Sequence, residues 1–120
     1  MIYNNRNNAE PYITLDGSLI RELMHPSIHF NQSQSLAEAT IAPGQQTTTH
    51  RHNRSEEIYY IQQGTGTMYV DNESLDVVVG DSIAIPPGTF HSILNTGATE
   101  LIVLCACCPP YAHDDTEIRE

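Results

Sequence analysis

The chain consists of short runs of hydrophobic and β-branched residues that turn-forming residues interrupt. Breaks such as Asp16-Gly17, Pro43-Gly44 and Pro86-Pro87-Gly88 separate the runs, and runs of this length bounded by glycine or proline are typical of β-strands. Asp16-Gly17, between two such runs, also predicts a hairpin turn. The pattern predicts ten strands, over 12–15, 18–24, 35–42, 48–52, 57–62, 67–71, 74–79, 82–85, 90–94 and 100–107.

The spacing of these strands predicts an all-β fold, an antiparallel sandwich or barrel. Strands that recur roughly every 8–12 residues with turn signals between them are characteristic of those two architectures. No segment shows the period of an amphipathic helix. The tail, 112–118, is the exception, because His113-Asp114-Asp115 has the composition that opens a helical turn.

The length of 120 residues indicates one domain, because two halves would each be too small to bury a useful core. We expect residues 1–10, which are rich in asparagine, to form a mobile N-terminal segment. Residues 11–120 then form a single barrel domain.

The charge balance restricts the partners. Fifteen acidic residues against five basic ones give a net charge of −10, which disfavours nucleic acid and an anionic membrane surface, since both need a basic face. An anionic small substrate stays possible, because one arginine or a metal ion can reverse the local field. No apolar run approaches the roughly 20 residues of a membrane span. The first residues lack the apolar segment of a signal peptide, which predicts a cytoplasmic protein.

The three cysteines, Cys105, Cys107 and Cys108, lie close together near the end of the chain. An odd, clustered set is not a disulfide framework, and the absence of a C-x-x-C pair argues against a thiolate zinc site. On a strand, Cys105 and Cys107 share one face and Cys108 takes the other. We expect small apolar fillers in a reducing compartment, with entry of Cys105 or Cys107 into a functional pocket as the alternative.

The candidate chemistry lies in two segments, 44–64 and 80–95. His50 and His52 are two apart on a predicted strand, so their imidazoles face the same side. Glu56 and Glu57 open the strand that returns after a turn, and His91 opens a later strand directly after Pro86-Pro87-Gly88. Two or three imidazoles with one carboxylate suit Mn, Fe, Co, Ni, Cu or Zn, and match Ca or Mg poorly.

These segments resemble the two motifs of the cupin family. The first motif, G-x5-H-x-H-x3,4-E-x6-G, fits with its four-residue gap, and the second, G-x5-P-x-G-x2-H-x3-N, fits at every position. The residues that fill the two motifs are Gly44, His50, His52, Glu57, Gly64, Gly80, Pro86, Gly88, His91 and Asn95. The resemblance implies a jelly-roll barrel, or double-stranded β-helix, of two antiparallel sheets. It also implies one divalent transition metal, Fe, Mn, Ni or Zn, held by His50, His52, Glu57 and His91.

The other candidate ligands have plainer interpretations. Glu56 competes with Glu57 for the motif position, but the distance to Gly64 selects Glu57 and turns Glu56 to the opposite face. The three remaining histidines are expected to be surface or internally bonded residues; they are His25, His29 and His113.

Alternation along the strands extends the predicted pocket. If Glu57 and His91 point inward, so do Tyr59, Ile61 and Ile93, and His50 implies Thr48 in the same way. Tyr59 is expected either to pack or to donate a hydrogen bond to a ligand. Arg51 should face outward, whereas the direction of Arg21 is left open.

The function that the resemblance implies is broad, because one fold hosts many reactions. The first hypothesis is a small metal-dependent enzyme, oxygenase- or oxidoreductase-like, acting on a small organic acid, sugar or phenolic compound. The alternatives are a non-catalytic metal- or small-molecule-binding or sensing module, and an isomerase, epimerase or lyase. We also expect a homodimer, with Ile58 and Tyr60 on an outward surface unless these two pack within one subunit.

Overall fold

A computed structural model describes all 120 residues. Its eleven strands are β1 (Tyr12–Ile13), β2 (Leu19–Met24), β3 (Ser35–Ile41), β4 (His50–His52), β5 (Glu56–Gln63), β6 (Gly66–Val70), β7 (Glu73–Val77), β8 (Ser82–Ile85), β9 (His91–Asn95), β10 (Leu101–Cys108) and β11 (Thr116–Ile118). A short helix, α1, spans Pro26–His29, and 3₁₀ turns span Arg6–Asn8 and His113–Asp115.

The strands form two antiparallel sheets, which confirms the predicted jelly-roll barrel. The six-stranded sheet has the order β1-β2-β3-β10-β5-β8, and the five-stranded sheet has the order β11-β4-β9-β6-β7. Only β1, β2 and β3 in one sheet, and β6 and β7 in the other, neighbour strands next to them in sequence. The remaining neighbours are distant in sequence, since the chain crosses repeatedly from one sheet to the other. No helix of the structure has both the length and the apolar character to cross a membrane.

All ten predicted strands are present, with ends displaced by one or two residues. An eleventh strand and the helix α1 were not predicted. In the tail the helical turn occurs over His113–Asp115, but the residues after it pair with β4 as β11. Three residues are too few for a period to be visible in the sequence, so pairing with β4 decides their conformation.

The core lies between the sheets and follows from the alternation of the strands. Ile61 and Val103 from the large sheet and Met68 and Ile93 from the small sheet are at most 2% exposed. Odd positions of β10 are buried and even positions are less so, because successive side chains of a strand point to opposite faces. Toward one end of the barrel, polar residues replace this apolar filling.

The turn between β5 and β6 depends on a glycine of the first motif. Gly64 has a φ of +87°, and a Cβ atom there would lie 2.9 Å from the Glu100 carbonyl oxygen. Both the left-handed backbone and the close approach therefore require glycine, which explains this motif position by backbone geometry alone.

The N-terminal segment carries contacts to the outer face of the six-stranded sheet. Arg6 Nε donates to both carboxylate oxygens of Glu38, at 3.0 and 2.8 Å, and Arg21 Nη1 lies 3.8 Å from the same carboxylate. Arg21 therefore points away from the barrel interior. Asn4 also donates to the Leu23 carbonyl. The mobility of residues 1–10 stays a prediction.

The C-terminal tail is fixed to the β4–β5 turn by one buried carboxylate. Asp115 is 4% exposed and accepts from the backbone N–H groups of Arg54 and Ser55 and from Arg54 Nε, at 3.0–3.2 Å. Burial opposes ionisation, but the side-chain and backbone hydrogen bonds from Arg54 and the backbone bond from Ser55 outweigh it and lower the pKa of Asp115. Its ionised form therefore stabilises the fold.

Replacing Asp115 with Asn should destabilise the metal-free protein at pH 7 by about 1–3 kcal/mol, since the amide is uncharged and its NH2 group cannot accept from the donors that face the second oxygen. The folded pKa lies below the unfolded value, near 3.9, so the stabilising effect is complete above the unfolded pKa. It is lost as pH falls through the folded pKa. The gap in melting temperature between wild type and Asp115→Asn should thus be widest at pH 7 and narrow below pH 4. A gap independent of pH would contradict the ionised form as its source.

Candidate metal centre and cavity

Three histidines meet inside the barrel because of strand geometry. His50 and His52 flank Arg51 on β4, so both point inward while Arg51 turns outward and pairs with Glu117 at 2.9 Å. His91 opens β9 and is the direct partner of His50 in the β4–β9 register. The register therefore places on one wall two histidines that are far apart in sequence.

The three rings form a compact group. The ring centroids are 4.3 Å apart for His50 and His91, 5.2 Å for His50 and His52, and 5.4 Å for His52 and His91. One ring nitrogen from each histidine lies within 4.8 Å of the others, and all three residues are buried. This group could hold a metal ion.

Hydrogen bonds on the far side of each ring set its orientation. His50 Nδ1 lies 2.7 Å from the Thr48 carbonyl and His91 Nδ1 lies 2.9 Å from the Thr89 carbonyl. Because a carbonyl only accepts, both Nδ1 atoms carry the proton. His52 Nδ1 lies 3.0 Å from Thr116 Oγ1, whose own proton goes to the Ala112 carbonyl at 2.9 Å. These hydrogen bonds thus turn the three Nε2 atoms into the barrel, the arrangement that metal-ligating histidines adopt.

A buried carboxylate completes the group. Glu57 Oε1 lies 3.1 Å from His52 Nε2 and 3.4 Å from His91 Nε2, while Cys107 Sγ donates to Glu57 Oε2 at 3.3 Å. Burial opposes ionisation of Glu57, but the contacts with His52 and His91 outweigh it and lower its pKa to about 2. Glu57 is therefore a carboxylate at pH 7. Glu56 is exposed on the opposite face of β5.

These four side chains fit a transition-metal ion. His91 Nε2 is buried without a hydrogen-bond partner, and burial, with the nearby His91, lowers the pKa of His50. A buried polar atom without a partner is costly, and a divalent cation would bind the imidazole nitrogens and the carboxylate together.

His50, His52 and Glu57 line a cavity that extends along the inner face of the six-stranded sheet. The space free of atoms is about 490 Å³, which includes open solvent at the mouth. Its polar walls come from Tyr12, Thr14, Asp16, Ser18, Glu22, Ser35, His50, His52, Glu57, Tyr59, Tyr111 and Thr116, with Cys105 and Cys107 beside them. No arginine is among the lining residues.

Of the predicted pocket residues, only Tyr59 lines this cavity. It is buried, and its ring stands edge-on to His91 at 5.9 Å. The expectation for Thr48, Ile61 and Ile93 is corrected. Ile61 and Ile93 point inward as predicted, but they belong to the apolar core. Thr48 is exposed, because β4 begins only at His50 and strand alternation does not extend back to it.

Several cavity residues were missed by the sequence reasoning. Glu22 is in β2 and shares the inner face with buried Ile20, so alternation counted from Ile20 would have found it. Asp16 lies in the turn before β2 and brings Oδ2 to 3.7 Å from His50 Nε2. Tyr111 follows the two prolines after β10, and no local pattern indicates its position.

The cysteines divide between the two faces of β10 as alternation predicts. Cys105 and Cys107 are buried and line the cavity, whereas Cys108 is exposed. Burial raises the pKa of the Cys105 and Cys107 thiols, with Glu57 adding to the effect. Both therefore stay protonated, and Cys107 acts as a hydrogen-bond donor to Glu57.

The other three histidines lie outside the metal-competent group. His25 caps α1 by accepting from the Ser27 N–H, and its Nε2 bonds the Tyr111 carbonyl at 2.7 Å. His29 Nδ1 accepts from the His25 N–H, and His113 is exposed beside the Tyr111 hydroxyl. These contacts agree with surface or internally bonded roles.

Comparison with known proteins locates this arrangement in one family. A family model described as the cupin domain matches residues 37–107, which is more than half of the chain and includes all four candidate ligands. An uncharacterised protein of Methanocaldococcus jannaschii is 55% identical over 111 residues, which cover 92% of this chain and 89% of that protein.

Two further similarities concern Thermotoga maritima. An oxalate-binding protein of that organism is 34% identical over 83 residues, 69% of this chain and 64% of its own length. A crystal structure of a predicted oxalate decarboxylase from T. maritima superposes with a TM-score of 0.77 at 25% identity, and covers 91% of this chain and 99% of that one.

Proposed function

We propose that this chain, which belongs to the cupin domain family, is a metal-dependent enzyme of the oxygenase or oxidoreductase type that acts on a small oxygen-bearing molecule. The main observation in support is that three imidazole Nε2 atoms and the Glu57 carboxylate converge beside the cavity. We assign His50, His52, Glu57 and His91 as the ligands of one divalent transition ion, Fe, Mn, Ni or Zn.

The metal would polarise ligand oxygens or activate molecular oxygen. The protein's own residues prepare the site in three ways. The Nδ1 hydrogen bonds hold each ring in one orientation. Glu57 supplies a negative charge that offsets the cation, and Cys107 supports that carboxylate. Burial of all four side chains removes competing water.

A binding protein without turnover is the second candidate. The observation in its favour is the T. maritima relative described as an oxalate-binding protein. Both candidates need the same metal site, so metal binding and turnover require separate measurements.

Replacing His52 with Ala should remove most of the bound metal and leave the barrel folded, since the ring contributes one ligand of four. Elemental analysis of protein purified without added metal, and without a nickel column, gives the identity and the metal-to-protein ratio. His113→Ala is the matched control and should keep the wild-type ratio, because His113 is exposed outside the group. Equal metal content in the two variants would contradict the assigned site.

Turnover separates the two candidates. Oxygen uptake by the metal-loaded protein, measured with a panel of small organic acids, sugars and phenols, should exceed the rate of the His52→Ala variant by at least about 100-fold for a substrate, as expected when one catalytic group is lost. Tight binding of a compound without oxygen uptake or product by mass spectrometry would favour the binding protein and refute the oxygenase.

We further propose that the chain forms a homodimer through the outer face of the six-stranded sheet. Ile58 and Tyr60 are 44% and 42% exposed, so they do not pack within one subunit. Cross-strand pairing extends this surface, because Ala106 lies between Ile58 and exposed Leu36. A contiguous apolar patch on a sheet is the type of surface that a second copy would bury.

Replacing Ile58 with Asp should convert the dimer to a 13.3 kDa monomer, because the interface would have to bury an unpaired charge. Sedimentation at micromolar concentration measures the change. Leu75→Asp, at an exposed position of β7 on the other sheet, should leave the dimer intact. A wild-type particle of 13.3 kDa would refute the dimer.

A further inference from the structure

The cavity contains a second unsatisfied group, apart from the four candidate ligands. Glu22 is 7% exposed. Its Oε1 accepts a long hydrogen bond from the Tyr12 hydroxyl at 3.4 Å, and its Oε2 is buried without any partner. A carboxylate oxygen left in this state favours a ligand that brings it a donor.

Glu22 lies across the sheet from the histidine group. Along the six-stranded sheet, β2 is separated from β5, which carries Glu57, by β3 and β10. Three interstrand spacings separate the β2 and β5 backbones by roughly 14 Å along the sheet, and the direct distance across the curved interior is shorter. An outer groove that includes His25 and His113 shares Tyr12, Glu22 and Tyr111 with the cavity, so Glu22 lies where the cavity meets the groove.

The carboxylates that line this cavity have no arginine or lysine beside them. Asp16, Glu22 and Glu57 line it, and neither the cavity nor the groove includes an arginine. The chain has no lysine, and its five arginines are engaged elsewhere: Arg6 and Arg21 with Glu38, Arg51 with Glu117, Arg54 with Asp115, and Arg119 over the Phe90 ring. No arginine or lysine therefore offers a permanent positive charge to this cavity, and a bound metal would lie at one wall.

We propose that Glu22 is a specificity-determining residue, which selects small molecules with a neutral hydrogen-bond donor at the end distant from the histidine group and rejects those with a carboxylate there. The ligand class is therefore a compact hydroxylated compound whose paired oxygens reach the metal and whose remote hydroxyl donates to Glu22. This inference rests on the proposed metal site.

The burial of Glu22 strengthens the selection. Burial raises its pKa, against the lowering effect of His25, of the Tyr12 hydrogen bond and of His113. The titratable groups around it also include Tyr111, Cys105 and Cys107. Since water does not solvate Oε2, a ligand hydroxyl gains a full hydrogen bond, whereas a ligand carboxylate would bring a second negative charge to a site that no arginine or lysine reaches.

Three pyranones that share one metal-chelating end provide the test. Kojic acid carries a hydroxymethyl group at the remote position, allomaltol a methyl group and comenic acid a carboxylate. Binding to zinc-loaded protein is measured by calorimetry at pH 7.5, so the readout does not depend on turnover. Wild-type protein should bind kojic acid about tenfold more tightly than either of the other two, the effect of one buried hydrogen bond to a charged group.

Glu22→Gln should bring comenic acid to within about threefold of kojic acid, since the amide removes the like charge and can donate. Glu73→Gln, which removes an exposed carboxylate of β7, should keep the wild-type ratio. Glu22→Asp, a second variant, keeps the charge but shortens the reach, so it should weaken kojic acid without improving comenic acid.

The outcomes separate this inference from the function on which it rests. Failure of the wild-type protein to bind zinc would overturn both. Zinc binding with equal affinities for kojic acid and allomaltol, or with the same comenic-to-kojic ratio in Glu22→Gln and Glu73→Gln, would overturn the role of Glu22 alone.

Discussion

The interior of this barrel depends on one constraint, which is that three imidazoles and a carboxylate are buried against one another. The Nδ1 atoms of the three histidines bond to acceptors at the rim, so the Nε2 atoms of His52 and His91 face Glu57. The buried Nε2 atom of His91 has no hydrogen-bond partner, which is unfavourable for the protein alone. A cation shared among the four side chains would remove that cost, so the hydrogen bonds that orient the rings also prepare a place for a metal.

The cavity as a whole also buries acidic side chains away from arginine. Its acidic residues are held inside the barrel, while the arginines that could balance them pair with carboxylates on the outside, as Arg51 does with Glu117 and Arg6 with Glu38. The proposed metal would be the one strong positive charge in this interior. A ligand of the proposed class would place its metal-binding oxygens toward the histidines and a hydroxyl group toward Glu22. On this proposal the acidic balance of the chain would contribute to ligand selectivity.

The sequence determined the regular parts of this structure better than the ends of its strands. Alternation correctly predicted that Glu57 and Tyr59 point inward. It succeeded because β5 is eight residues long and has a neighbouring strand on each side. The same rule failed for Thr48, which precedes a strand of only three residues. Alternation could have predicted that Glu22 points inward, if Ile20 had been taken as the inward reference residue. Alternation could not have placed Tyr111, because its position depends on contacts with Ser35 and Thr14, which are distant in sequence.

The alternation of β5 also joins the two surfaces that define the proposed function. Glu57 and Tyr59 face the cavity, while Ile58 and Tyr60 face outward from the same backbone. A second subunit seated on the outer side would pack directly behind the wall that carries Glu57. A well-packed sheet transmits small displacements, so the proposed dimer would hold the Glu57 carboxylate against the histidines. Loss of the interface would then weaken metal binding, although no metal ligand had been replaced.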